Sequence, residues 1–273
     1  MEIHKFQIVH KSKKDEFVLF PIGDIHAGDP NFKQETFEKT MRWIESHPNA
    51  YMIGMGDYFN NTPTNHDFFD ITNVDRELLT MEEQFFYIEK QFKKMAEMGR
   101  IIGLHEGNHD NRIVPNTGYN WVAILCKNLG VKYLGHTALT RLSFHRIHEI
   151  NSWDIFSTHG YFRGATPSGK LTKLLKLISS FNADIFLHGD VHETMIYEYP
   201  VKMLNFRGNL ETKSVVFCLT GSFLETYKEG TKGYGEVRNY QSMKTGCPKI
   251  TIYPHHRIIK ASIYGTEDWK EWK

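Results

Sequence analysis

The sequence predicts an α/β protein of two packed sheets with helices outside them, in one domain. Three observations predict it. Apolar runs of strand length alternate with amphipathic helical stretches in the β-α-β-α-β order over the first hundred or so positions. The later part reads mostly as strands, which need a second layer to pack on. The 273 residues carry no internal repeat, low-complexity tract or Pro/Ser-rich linker, and they suffice for a large core.

Phe17 to Ile22 is a short apolar run ending at Gly23, the pattern of a buried strand. After Pro30 a helix places Phe37, Met41 and Ile44 on one face. Ala50 to Ile53 is the next strand, closed by Gly54 and Gly56. A loop-like region rich in Asn, Thr, Asp and Phe runs from Tyr58 to about Leu79. Thr80 with Glu83 forms a capping box. The helix it opens lines up Phe85, Ile88, Phe92 and Met95 and stops at Gly99. Ile101 to Leu104 is a third strand, and Tyr119 to Leu129 a helix with Trp121, Leu125 and Leu129 inward and Gly130 as its stop. Ala138 to His145 and Asp154 to Ser157 read as strands; Ser168 caps a helix with Leu171, Leu174, Leu175 and Ile178 inward. Ala183 to Leu187, Met195 to Tyr199, Lys213 to Leu219, Lys249 to Tyr253 and Arg257 to Ile263 read as strands.

Composition narrows the function classes. Lys plus Arg is 33 and Asp plus Glu is 32, so overall charge does not point to nucleic acid, and any such contact needs a local patch. Cys126, Cys218 and Cys247 are scattered and odd in number, against a disulfide framework or a Cys-based zinc site. No stretch approaches the length and apolarity of a membrane span, and Met1 to Val9 lacks the apolar core of a signal peptide, so the expected compartment is a reducing cytoplasm. Fifteen histidines are many, and they direct attention to a metal site.

The chemistry-capable residues fall just past predicted strands. Asp24 and His26 follow the first of the alternating strands, Asp57 the second, and Asn108, His109 and Asp110 the third. His159 follows the Asp154–Ser157 strand, and Asp190 and His192 follow the one ending at Leu187. In open α/β sheets the loops past the carboxyl ends of strands gather into one crevice. Three carboxylates, an amide and several imidazoles, without a thiolate, suit Mn²⁺, Mg²⁺, Fe or Zn²⁺. They are too many for one tetrahedral ion, and a second metal accounts for the excess. Each piece alone is an ordinary turn or a satisfied histidine more often than a ligand; the ordered set of five is not.

The series Asp24-x-His26, Gly56-Asp57, Gly107-Asn108-His109-Asp110, His159 and Gly189-Asp190-Val191-His192 resembles the calcineurin-like metallophosphoesterase superfamily. The resemblance spans roughly residues 20 to 192 and implies a four-layer α/β/β/α sandwich of two mixed sheets flanked by helices, with residues 194–273 completing the second sheet. It implies a binuclear centre: one ion held by Asp24, His26, Asp57 and His192, the other by Asp57, Asn108, His159 and residue 190, with Asp57 bridging. His109 would sit beside the metals without ligating them. The family usually has Gly-His-x-His in the last motif, so Asp190 stands where an imidazole is expected. Two divalent ions against three carboxylates and a bridging hydroxide then make a neutral centre, a weaker Lewis acid biased toward hard ions such as Mn²⁺ or Mg²⁺. Alternatively His188, two residues earlier, supplies the imidazole. Gly56-Asp57-Tyr58-Phe59-Asn60-Asn61 lacks the Asp-Arg-Gly of the Ser/Thr protein phosphatases, which leaves the phosphodiesterase and nuclease branches, including small phage and bacterial members.

The implied reaction is hydrolysis of a phosphodiester, in a nucleotide or nucleic acid, by in-line attack of a metal-bridged hydroxide. His109 is the expected general acid, with Asp110 orienting it or raising its pKa. Arg112 and Asn60 are expected substrate contacts, with Asn61 and His66 as further pocket candidates. Tyr119 is a candidate for base stacking, and Arg163, Lys170, Lys173 and Lys176 form a small basic face that a solvated helix explains as well. The alternatives are a phosphomonoesterase, or a non-catalytic binding or accessory protein on the same fold; a zinc hydrolase of another bond would lack its HExxH helix.

Overall fold

The computed structural model describes residues 1–62, 75–161, 166–205, 207–231, 234–237, 239 and 241–265. His66 and Arg163 lie outside them. Two six-stranded mixed sheets pack face to face, with helices on their outer faces.

The first sheet holds the alternating elements. Strand β1 (Glu2–Val9) belongs to the second sheet; β2 (Phe17–Ile22) enters the first and leads to helix α1 (Gln34–Ser46) and strand β3 (Ala50–Gly54). Helix α2 (Met81–Glu97) follows, opened by the expected Thr80–Glu83 capping box, and β4 (Ile101–His105) comes next. After the short α3 (Val114–Thr117), α4 (Trp121–Leu129) is capped by Asn120 and stopped by left-handed Gly130, and β5 (Tyr133–Gly135) ends this part. Strands β2, β3, β4 and β5 run parallel. Phe37, Met41 and Ile44 of α1 and Phe85, Ile88, Phe92 and Met95 of α2 pack with Phe20 and Met52, forming the layer between helices and sheet. Buried Arg100 closes the C-terminal end of α1, donating to the carbonyls of Ile44 (3.2 Å), Glu45 (2.8 Å) and His47.

The second sheet is built from β6 (Thr137–Arg146), β7 (Glu149–Thr158), β8 (Ile185–His188), β9 (Thr194–Leu204) and β10 (Leu210–Thr220), in the order β1-β6-β7-β8-β10-β9. Helix α5 (Pro167–Ile178) covers part of its outer face, where Phe156, Phe186 and Phe217 meet Leu177 and Phe181. The N-cap of α5 is Thr166, which accepts from Gly169 N at 3.2 Å, in place of the expected Ser168. Between the sheets, Leu19, Ile53 and Ile102 face Leu142, Ile155, Ile185 and Leu187. Strand period 2 explains the division: along β8, Ile185 and Leu187 point to the inter-sheet core and Phe186 to the α5 side.

Residues 194–273 do not simply complete the second sheet. Strands β9 and β10 extend it, but after the short α6 (Tyr234–Val237) the pair β11 (Gly246–Tyr253) and β12 (Ile258–Gly265) joins the first sheet, antiparallel beside β2.

Candidate metal centre

Every motif residue sits just beyond the carboxyl end of a parallel strand. Asp24 and His26 follow β2, Asp57 follows β3, and Asn108–Asp110 follow β4; from the other sheet, His159 follows β7, and Asp190 and His192 follow β8. The loops after β2 and β3 run side by side, with Asp24 N bonded to Gly56 O (2.9 Å) and Ala27 N to Tyr58 O (3.0 Å). Side chains that are up to 168 positions apart in sequence therefore meet at one seam between the sheets.

The local backbone is strained there. Asp24 (φ 48°), His26 (50°), Asp57 (52°), Asp190 (64°) and His192 (58°) all adopt the left-handed conformation. For a residue with a Cβ this costs about 1–2 kcal/mol each, and such strain concentrates where side chains must be aimed. Gly107 makes room: a Cβ on it would lie 2.0 Å from Asp57 Oδ1.

Two donor groups share Asp57. In one, His26 Nε2 lies 3.2 Å from His192 Nε2, and Asp24 Oδ1 lies 3.3 Å from His192 Nε2 and 4.0 Å from His26 Nε2. In the other, His159 Nε2 is 2.9 Å from the Asn108 amide, which is also 3.2 Å from Asp190 Oδ1. Asp57 Oδ2 lies between the groups, 3.7 Å from His26 Nε2, 3.4 Å from His159 Nε2 and 3.2 Å from the Asn108 amide. Its other oxygen, Oδ1, accepts the His109 backbone N–H at 2.8 Å, which fixes the direction of the carboxylate.

The donor set fits metal ions on three observations. Atoms sharing one ion at about 2.1 Å stand roughly 3.0–3.5 Å apart, close to the spacings here. Asp24 Oδ1 is fully buried and accepts no well-formed hydrogen bond, and the Asn108 side-chain oxygen faces two carboxylate oxygens. A cation relieves both; an amide turned to present its NH₂ relieves only the second. Finally, His159 Nδ1 is 2.8 Å from Met55 O, so the ring donates there and presents Nε2 to the centre, as in metal-ligating histidines.

Electrostatics points the same way. Burial alone would raise the Asp57 carboxyl, but His159, His109 and His26 outweigh it and hold it well below the usual range. Burial would depress His159, yet the Asp57 carboxylate holds it up at about 10. Burial, followed by the charge of His109, pushes His26 well down. The Asp57 carboxylate and the His159 imidazole thus favour each other's charged forms.

The residues around His109 differ from expectation. Asp110 does not touch the His109 ring. Its buried carboxylate accepts four backbone N–H groups, from Asp57 (2.7 Å), Gly107 (2.8 Å), Tyr58 (3.0 Å) and Phe59 (3.3 Å), so it ties the β3 and β4 loops together. Burial and then the Asp57 charge push it up to about 7, against those donors. His109 instead meets Asn60 O at Nδ1 (3.2 Å) and Arg112 Nη2 at Nε2 (2.6 Å). Arg112 also donates to Asn60 O (3.3 Å) and Thr62 Oγ1 (3.1 Å). The guanidinium has only donors, so His109 carries its proton on Nδ1 here. Burial depresses the His109 imidazole to about 4.

Other expected contacts disperse. His188 faces the α5 side of the second sheet, away from the donor groups, and Asp190 reaches the centre. Lys170 is buried and paired with Glu193 Oε2 at 2.5 Å, so it belongs to no solvated basic face. Trp121 packs against Phe85, while Tyr119 is exposed. Sequence reasoning passed over Ser222, whose buried hydroxyl donates to Asp24 O at 3.0 Å and holds the strained residue from behind. Its signal was the same as the others: Gly221-Ser222 directly follows β10.

No family model matches the chain, and neither does any curated protein. Nine chains of solved structures are similar to it. Among them is a conserved uncharacterized protein of Streptococcus pneumoniae TIGR4, described as a predicted phosphoesterase; it is 12% identical, with a TM-score of 0.36 over 92% of this chain and 99% of that one. Among the described residues no helix is long and apolar enough to cross a membrane.

Proposed function

We propose that the chain is a metal-dependent phosphoesterase, acting on a phosphodiester at a centre of two divalent ions, with Mn²⁺ favoured by the oxygen-rich donor set. The observation that carries this reading is the position of Asp57 Oδ2 between two clusters of donors drawn from both sheets. Asp24, His26 and His192 would hold one ion, and Asn108, His159 and Asp190 the other. When bound, such a pair acidifies a water and polarises the phosphoryl oxygens.

The chain's own groups do the rest. Asp110 locks the β3 and β4 loops, and through them the direction of Asp57 and Asn108. Arg112 supplies guanidinium donors to a phosphate oxygen. His109 is the proton donor to the leaving oxygen: phosphate binding that draws Arg112 off Nε2 frees this nitrogen to take a proton from solvent and pass it to the leaving oxygen, while Nδ1 keeps its own proton on Asn60 O. Asn60 acts through its carbonyl, which orients both.

Hydrolysis of bis-p-nitrophenyl phosphate and p-nitrophenyl phosphate, with and without Mn²⁺, tests the proposal. The expected result is Mn²⁺-dependent hydrolysis, faster on the diester and abolished in Asp57→Asn. Preference for the monoester would overturn the diester assignment. No hydrolysis, with no metal bound, would favour a binding protein on this fold.

A further inference from the structure

On the α5 side of the second sheet lies an open cavity of about 440 Å³ that the proposed chemistry does not use. Its apolar side is made by Phe156, Leu177 and Phe181, with the two phenylalanine rings 4.4 Å apart. Its polar side carries His136, His188 and the paired hydroxyls of Thr137 and Thr158 (2.9 Å), with exposed Tyr161 at the rim.

This cavity shares a wall with the candidate metal centre. His159 turns its ring to the metal side, and the next residue, Gly160, lines the cavity. Gly160 has φ +84°, and a Cβ there would lie 2.0 Å from His188 Cε1, so only glycine lets the His188 ring lie across the backbone at this point. The His136 ring, which lines the cavity, stands 6.1 Å from the His159 ring, centroid to centroid.

We propose that the cavity seats a nucleobase of the phosphoester substrate, an assignment that rests on reading the neighbouring centre as a phosphoesterase site. The volume lies within the range of small-ligand pockets, about 300–1,000 Å³. The described lining is aromatic, aliphatic and hydroxyl-bearing, which suits a neutral planar group. Aromatic and aliphatic faces can take the flat side of a heterocycle, while hydroxyls and imidazoles address its polar edge. The wall formed by His159 and Gly160 sets the cavity next to the candidate centre.

The test uses nucleosides, which carry no phosphate, in the presence of a chelator. Adenosine, guanosine, cytidine and uridine are titrated by equilibrium dialysis against the full chain, its Leu177→Trp variant and its Tyr161→Ala variant. At least one nucleoside is expected to bind saturably. Leu177→Trp fills the cavity from the helix, so its affinity falls about tenfold or more, while Mn²⁺ content is unchanged. With a nucleotidyl diester the same variant raises KM and leaves kcat in place. Tyr161→Ala, at the exposed rim, gives the same direction should the tryptophan variant not fold. Absence of nucleoside binding in the parent chain, or equal binding in both variants, overturns the cavity assignment even if Mn²⁺-dependent hydrolysis is found. Saturable nucleoside binding without metal-dependent hydrolysis upholds the cavity and removes the phosphoesterase reading instead.

Discussion

At the scale of single residues, the site separates groups that would hold ions from groups that position them. His109 is assigned to neither set: its ring nitrogens meet Asn60 O and Arg112, although its ring also packs edge-on against His26 and one nitrogen lies within 4.8 Å of donor atoms on His26 and Asp57. His109→Ala is therefore expected to slow turnover by about 10²–10⁴ and leave metal content, measured by elemental analysis, unchanged. Loss of metal in that variant would make His109 a ligand. Ser222 acts from behind: its hydroxyl shares Asp24 O with the Phe223 N–H (3.1 Å), so removing it loosens a residue held at φ 48°. Ser222→Ala is expected to weaken metal affinity about 10–100-fold in a competition titration, with Ser222→Thr restoring most of it. The positions of the candidate ligands were legible in the sequence because each follows a strand. The duties of Asp110 and Arg112 were not, because their partners lie about fifty positions away and depend on how the β3 and β4 loops meet.

At the scale of elements, the two sheets are joined by polar ties as well as apolar packing. His105, at the end of β4, is fully buried; it bonds Gly135 O (2.8 Å) in its own sheet and Ser157 Oγ (2.8 Å) in the other. Burial pushes its imidazole from 6.5 down to about 3. The folded value lies below the unfolded one, so this contribution is intact above pH 6.5 and is lost as pH falls toward 3. Each pH unit below 6.5 costs about 1.4 kcal/mol. Urea unfolding at about pH 7.5 and pH 5.5 should show the parent losing about 1.4 kcal/mol more than His105→Gln over that interval; equal losses would mean that His105 titrates normally. Helices with a 3.6-residue apolar period, α1, α2 and α4, stood out in the sequence, the last two with side-chain N-caps as well. Strand β1 did not, because as an edge strand its buried side is only His4, Phe6 and Ile8 among exposed Ile3, Lys5 and Gln7. The β9–β10 arm was read short because Pro200 interrupts β9, which the fold tolerates on an edge strand.

At the scale of the whole molecule, the centre lies on the seam between two sheets that no local sequence pattern connects. Alternating elements predicted the two layers, but not that β11 and β12 return to the first sheet, since a strand pattern does not specify its partner. Candidate ligands from both sheets would make metal binding a tie across the fold. Mn²⁺ at about a hundred times its dissociation constant should add about 2.7 kcal/mol, raising Tm by about 5–10 °C in calorimetry, and a chelator should reverse the gain. An unchanged Tm would mean that Mn²⁺ does not bind the folded chain in preference to the unfolded one. The most direct measurement is electron paramagnetic resonance during an Mn²⁺ titration of the parent chain and Asp57→Asn. Two ions per chain with exchange-coupled spectra in the parent, and no coupled signal in Asp57→Asn, is the expected result. A single uncoupled ion, or a coupled pair that survives loss of the Asp57 carboxylate, would contradict a centre bridged by Asp57.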